Sequence, residues 1–125
     1  MNPTDRKYSK EHEWVLVDGD VATVGITHFA QNQLGDIVFV ELPEEGADFS
    51  KDDVIGTIES VKAVSEIFAP VSGSIVEVNS ALEGAPETVN GDPYNDGWYC
   101  KVKLSDPSEV EQLLDPDAYG ELTAG

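Results

Sequence analysis

The segment Gly56-Thr57-Ile58-Glu59-Ser60-Val61-Lys62-Ala63-Val64-Ser65-Glu66-Ile67-Phe68-Ala69-Pro70-Val71-Ser72-Gly73 admits few local folds. Val54, Ile55, Thr57 and Ile58 lead in and Ile67, Phe68 and Val71 lead out, residue types that suit a pleated, half-buried surface. A helix fits less well, because Gly56 would weaken it and Pro70 would end it. Pro70 lacks a ladder donor and belongs at a strand end or edge, and Gly73 permits the next bend. The segment therefore predicts a β-hairpin with an exposed, narrow tip at Val61 to Val64 and Lys62 at its centre. The chain has seven Lys and Arg against 25 Asp and Glu, a formal net charge of -18. In so acidic a chain, a lysine set among Ser60, Ala63 and Ser65 points to an attachment point rather than to general surface charge. The plain alternative is an ordinary hairpin with a solvated lysine.

The remaining pattern is mostly short strands. Glu13 to Val17 and Val21 to Ile26 flank Asp18-Gly19-Asp20, whose Asp-Gly pair is a strong hairpin signal. Thr27 can cap a short helix running to about Gln33, with Gly35 as its stop. Asp36 to Leu42, Val71 to Asn79 and Gly97 to Leu104 read as further strands. Asp106-Pro107-Ser108-Glu109 carries a cap, a first-position proline and an acidic third residue, and Asp115-Pro116 starts a second short helix, after which the chain is expected to fray. Many short strands with turn signals predict a sandwich or flattened barrel. The 125 residues suffice for one modest core.

Several chemistries are disfavoured. Strand geometry would point His12 away from Glu11 and Glu13, so no local metal or acid/base site is expected there. His28 has no partner visible in the sequence. No Cys/His cluster has zinc spacing and no Gly-rich phosphate loop is present. Asp92, Asn95 and Asp96 lack the spacing and final glutamate of a calcium loop. Cys100 is the only cysteine, which excludes an internal disulfide, and its neighbours Trp98, Tyr99 and Val102 mark it as structural. No run of about 18 apolar residues could span a membrane. Met1 to Arg6 has neither a secretory apolar segment nor an organelle-type Arg-rich composition, so a cytoplasmic protein is expected.

Glu59-Ser60-Val61-Lys62-Ala63 followed by Glu66-Ile67-Phe68-Ala69-Pro70-Val71-Ser72-Gly73 resembles the lipoyl-attachment segment of the glycine cleavage system H proteins. Tyr8-Ser9-Lys10-Glu11-His12-Glu13-Trp14-Val15, Val24-Gly25-Ile26-Thr27, Ala30-Gln31, Leu34 to Pro43, Val76-Glu77-Val78-Asn79 and Asn90-x-x-Pro93-Tyr94-x-x-Gly97-Trp98 look like that family's other signatures, in its order. Biotinyl carriers typically place Met on both sides of the lysine, where this chain has Val61 and Ala63. Acyltransferase lipoyl domains usually carry Asp where Val61 stands and lack the Trp14 and Trp98 segments.

The resemblance implies a mainly β, barrel-sandwich hybrid of the lipoyl/biotinyl-carrier kind with short peripheral helices, including C-terminal ones, as one lipoyl-carrier domain over residues 1–125. It implies lipoate covalently bound to Lys62 and a non-catalytic shuttle for the aminomethyl group of glycine. Its partners would be glycine decarboxylase, aminomethyltransferase, dihydrolipoamide dehydrogenase and a lipoate-attaching enzyme, with no nucleic acid or membrane, and the protein would be a monomer. Carried over residue by residue, the family pattern puts Glu13 and Glu66 close to the path of the arm, with Glu59 nearby on the hairpin. Glu11 stands where a small hydroxyl residue is common. A relay for lipoyl groups and an interaction domain that lost the modification are the alternatives. The acidic balance, with six acids and no base after Lys103, fits either a salty cytoplasm or basic docking surfaces on the partners.

Overall fold

The computed structural model describes residues 3–124. Alternation of side chains along short strands builds two antiparallel sheets, neither of them closed. The larger runs β1 (Lys7–Tyr8), β2 (Glu13–Asp18), β3 (Val21–Ile26), β9 (Cys100–Leu104), β8 (Gly73–Val78) and β5 (Asp48–Phe49) in spatial order. The smaller runs β4 (Ile37–Glu41), β6 (Val54–Ser60) and β7 (Val64–Phe68). Asp18 pairs with Val21, so Gly19 and Asp20 alone make the β2–β3 turn, with Gly19 at φ 67. That conformation is free to glycine.

The core lies where the inward faces of both sheets meet. In β9, Cys100, Val102 and Leu104 are buried while Lys101 and Lys103 face outward. Ile58, Ile67, Val40 and Ile37 of the small sheet join Val15, Val24 and Ile75 of the large one. Each such side chain contributes about 1.5–3 kcal/mol by leaving water. Cys100 is buried in this layer, which pushes its thiol up to about 12 and keeps it a thiol. A second, aromatic cluster of Tyr8, Trp14 and Tyr119 ties the chain ends together. Tyr8 and Leu114 exchange backbone hydrogen bonds of 2.8 and 2.7 Å, and the Tyr8 and Tyr119 rings stack with centroids 4.7 Å apart.

Helix α1 (His28–Leu34) is capped by Thr27, whose side chain accepts from Ala30 N–H at 3.1 Å, and ends at Gly35, as expected. Asp106 likewise caps a 3-10 turn over Pro107–Gln112. Among the described residues, no helix is long and apolar enough to cross a membrane.

Other boundaries depart from expectation for identifiable reasons. The Val71–Asn79 strand begins only at Gly73, because Ser72 N–H and Oγ donate to the Glu109 carboxylate at 2.6 and 2.8 Å, and Ser72 Oγ accepts from Lys51 N–H at 2.8 Å. The Gly97–Leu104 strand begins at Cys100, because Gly97 N–H turns back to Asp92 O at 2.8 Å. His12 is not a strand residue. It sits at φ 70 in the Ser9–Glu13 turn, with its N–H on Ser9 O. The second short helix expected from Asp115-Pro116 forms as α4 (Pro116–Ala124), held by Tyr119, and the fraying expected beyond it, at Gly125, lies outside the described residues. Two one-turn helices, α2 (Ala81–Gly84) and α3 (Thr88–Gly91), occupy a stretch the sequence reading left without structure. The reading of the N-terminal segment at Met1 and Asn2 lies outside the described residues.

Two sheets this close leave no room at Gly56. An added Cβ there would collide with the Glu41 carbonyl oxygen and the Tyr99 hydroxyl, which itself donates to that carbonyl. Gly56→Ala is therefore expected to cost about 1–3 kcal/mol, read as a lower denaturant midpoint with unchanged slope.

Candidate functional site

The β6–β7 hairpin forms as the sequence predicts, and its tip is fixed by Ser60. Ser60 N–H donates to Ala63 O at 2.8 Å; its Oγ accepts from the N–H groups of Lys62 at 3.3 Å and Ala63 at 3.1 Å. A serine side chain thus does locally what a turn needs, satisfying the donors that the three-residue loop Val61–Ala63 leaves outside the ladder. Val61 N–H donates to Asp36 O at 3.0 Å, latching the tip to the segment that enters β4. That segment is held in turn by Asn90 of α3. Asn90 Oδ1 accepts from Ile37 N–H at 2.9 Å, while Nδ2 donates to Gly35 O at 2.8 Å and Gln31 Oε1 at 2.9 Å.

Lys62 lies exposed on this platform. Its aliphatic stem passes over Gly35, where an added Cβ would come within 3.4 Å of Cε. Gly35 thus combines two constraints, a left-handed φ of 79 and a close side-chain approach. Beside the tip a cleft of about 390 Å³ opens between α1 and β7, walled by Phe29, Ala30 and Leu34 with Ser65, His12 and Glu11 at its polar margin. An exposed primary amine near a cleft with one apolar wall leaves room for an acyl chain attached to that amine.

The glutamates of the sequence reading are distributed over different surfaces. Glu13 is 2 % exposed; its carboxylate accepts from Ser9 Oγ at 2.5 Å and Phe68 N–H at 3.2 Å, bridging the β1–β2 turn to the end of β7. It lines a second cleft, of about 330 Å³, with Tyr8, Lys10, Lys51 and Pro70. Glu11 borders both clefts. Glu59 and Glu66 are exposed on the outer face of the small sheet: Phe39, Glu59 and Val64 are in register, as are Glu41, Thr57 and Glu66. Ser65, paired with buried Ile58, takes the opposite face and meets the first cleft. The structure therefore does not bring Glu13, Glu59 and Glu66 together.

Sequence reasoning gave no role to Asn90, Ser65, Phe29 or Leu34. Asn90 appeared only as part of a motif, and no periodicity signals a side chain whose partners lie more than 50 positions away. His12 also joins the framework, its Nδ1 2.8 Å from Tyr119 Oη, which lies 2.7 Å from Thr27 Oγ1. Burial lowers the pKa of His12, favouring the neutral ring.

Burial raises the Glu13 carboxyl from 4.5 to about 7, against the opposing pull of the Ser9 and Phe68 donors, and the charges of Glu11 and Asp52 push the same way as burial. A carboxyl raised in the folded state binds its proton more tightly there than in the unfolded chain. Its contribution is fully present below about 4.5 and is lost as pH rises through about 7. Relative to Glu13→Gln, the parent should lose about 2–3 kcal/mol of unfolding free energy between roughly pH 4.5 and pH 8. A difference that stays constant with pH would show that this carboxyl titrates normally.

The chain matches the glycine cleavage H-protein family over residues 6–124. It is 54% identical over 121 residues to the glycine cleavage system H protein of Symbiobacterium thermophilum, covering 97% of this chain and 94% of that protein. It is 58% identical over 123 residues to that of Beutenbergia cavernae, covering 98% and 97%. The crystal structure of a glycine cleavage system H protein from Mycobacterium marinum superposes with a TM-score of 0.89 at 42% identity, covering 96% of this chain and 97% of that one. With its hairpin, its two sheets and these relatives all in agreement over nearly the whole length, the chain belongs to the glycine cleavage H-protein family.

Proposed function

We propose that this protein is the lipoyl-bearing shuttle of a cytoplasmic glycine cleavage system, residues 1–125 acting as one carrier unit with lipoate in amide linkage to Lys62. It carries the aminomethyl group of glycine from the pyridoxal-phosphate-dependent glycine decarboxylase to the tetrahydrofolate-dependent aminomethyltransferase, and dihydrolipoamide dehydrogenase restores the arm. The observation that carries this reading is the exposed amine of Lys62 on a hairpin tip closed by Ser60 and latched to Asp36, near a cleft with an apolar wall of Phe29, Ala30 and Leu34.

When bound, the lipoyl group supplies a dithiolane that opens on accepting a substituent and closes again by thiol–disulfide chemistry. The protein's own residues supply position. Ser60 and the Val61–Asp36 hydrogen bond fix the backbone from which the arm departs, and Gly35 leaves space for the lysine stem. Phe29, Ala30 and Leu34 offer apolar surface that shields an acyl chain and whatever it carries from water, and Glu11 places a carboxylate at the margin for a cationic group. At about 4 Å a carboxylate and an ammonium attract by roughly 1 kcal/mol in water and several times that when partly buried. Tethering on a fixed platform raises the arm's effective concentration at each docked active site. Glu13 acts as a brace behind the hairpin, and Glu59 and Glu66 as outward-facing charges.

Peptide mapping of protein from its host is expected to place the lipoyl group on Lys62 alone, leaving Lys7, Lys10, Lys51, Lys101 and Lys103 free. Lys62→Arg should fold normally and accept no lipoate, because a guanidinium keeps the charge but not the acylatable amine. Lipoate on another lysine, or none at all, would contradict the carrier reading.

A further inference from the structure

Among the described residues, eight large apolar side chains are exposed, and Val38 at 51%, Phe39 at 50%, Val61 at 69% and Val64 at 65% surround the hairpin tip. They are brought together by a bulge. Ile37 faces Ser60 and Phe39 faces Glu59, so Val38 is an extra residue in β4 that no partner on β6 opposes. Without it, one of the two neighbours Val38 and Phe39 would turn toward the core; with it, both face solvent. Phe39, Glu59 and Val64 then form one row across the three strands, a single pairing below Ser60, and Val61 continues it to the tip. Exposed Asp36, Glu41 and Glu66 edge this patch, the exposed Glu59 carboxylate stands within it between Phe39 and Val64, and the only base within residues 36–41 and 59–66 is Lys62.

A protein that folds a bulge to hold two apolar residues in water beside its modified lysine has a surface suited to burial by another protein. The partners differ in what they must reach. Enzymes acting on the dithiolane need approach only the far end of an acyl chain, whereas the enzyme that makes the linkage must bring its active site to Nζ and so must cover the residues around the tip. We propose, building on the carrier reading of Lys62, that the row Phe39, Val64, Val61 and Val38 is the docking patch for the lipoate-attaching enzyme, which meets it with an apolar collar rimmed by lysines and arginines. In the step that this docking permits, Nζ as the free amine forms a bond to the carbonyl carbon of an acyl adenylate. The bond from that carbon to the phosphate oxygen breaks, the adenylate leaves as AMP with the bonding pair, and the nitrogen loses one proton to solvent. No electrons are exchanged.

The test uses the full chain, an ATP-dependent lipoate ligase, lipoate and ATP, with acylation followed by mass. Phe39→Ser/Val64→Ser and, separately, Val61→Ser, which lies outside the strands, should raise KM for the chain about tenfold while kcat stays within about twofold. Val76→Ser, an equally exposed position on β8 of the other sheet, should match the parent. Glu41→Gln/Glu66→Gln should weaken the rise of KM with salt, as expected of rim charges that steer a basic partner. Unchanged KM in both apolar variants, or an equal loss in Val76→Ser, overturns the docking patch while leaving Lys62 as attachment site. A parent chain acylated elsewhere or not at all overturns the carrier reading as well.

Discussion

The side-chain amide of Asn90 is the joint on which the functional end of this molecule depends. Its oxygen accepts from the first backbone N–H of β4, and its nitrogen donates both to the carbonyl of Gly35, the residue that ends α1, and to the Gln31 side chain. These groups lie where a helix ends and a strand begins, so none has a partner in regular secondary structure. One half-buried asparagine satisfies them and so fixes the angle between α1 and the small sheet. Asp36 O, between those anchors, is then in place to receive Val61 N–H, and Gly35 lies beneath the Lys62 stem. The cleft wall, the floor under the lysine and the latch of the tip are three consequences of one local arrangement.

Strand alternation and the β4 bulge sort the charged residues of this end. Beyond the β4 bulge, Glu59 and Glu66 face solvent while Ile58 and Ile67 fill the core, and Glu13, the residue after a left-handed His12, is directed inward instead. A buried carboxylate without donors would be costly; Ser9 and Phe68 supply two, and the raised pKa relieves the remainder. The acids of this chain therefore do different work: Glu13 joins the turn to the hairpin, Glu109 holds Ser72 just ahead of β8, and the outward ones charge the surface around the tip.

Much of this was legible in the residues. The hairpin followed from β-branched arms around a small-residue tip, with Lys62 exposed at its centre, and α1 from Thr27 and Gly35. The sheet pairings did not follow, because β9 lies between β3 and β8, joining residues far apart in sequence. The shortest elements were missed for a related reason. Lys7–Tyr8 and Asp48–Phe49 exist as strands only because a longer neighbour offers an edge, and the one-turn helices have no periodicity to detect. Grouping Glu59 and Glu66 with Glu13 by position in a motif did not anticipate their orientation, since adjacent strand residues point to opposite faces and a bulge shifts the count by one.

The central claim is that Lys62 stands on a platform held by a latch, and not on a mobile loop. Amide hydrogen exchange at Val61 measures that latch directly, because among the described residues its partner is Asp36 O alone. In the parent, Val61 should exchange at least about tenfold more slowly than an unstructured amide, and Asn90→Ala should remove about that factor while buried Ile58 keeps its protection. A Val61 amide that exchanges at the unstructured rate in the parent, or one that is indifferent to Asn90→Ala, would contradict the account.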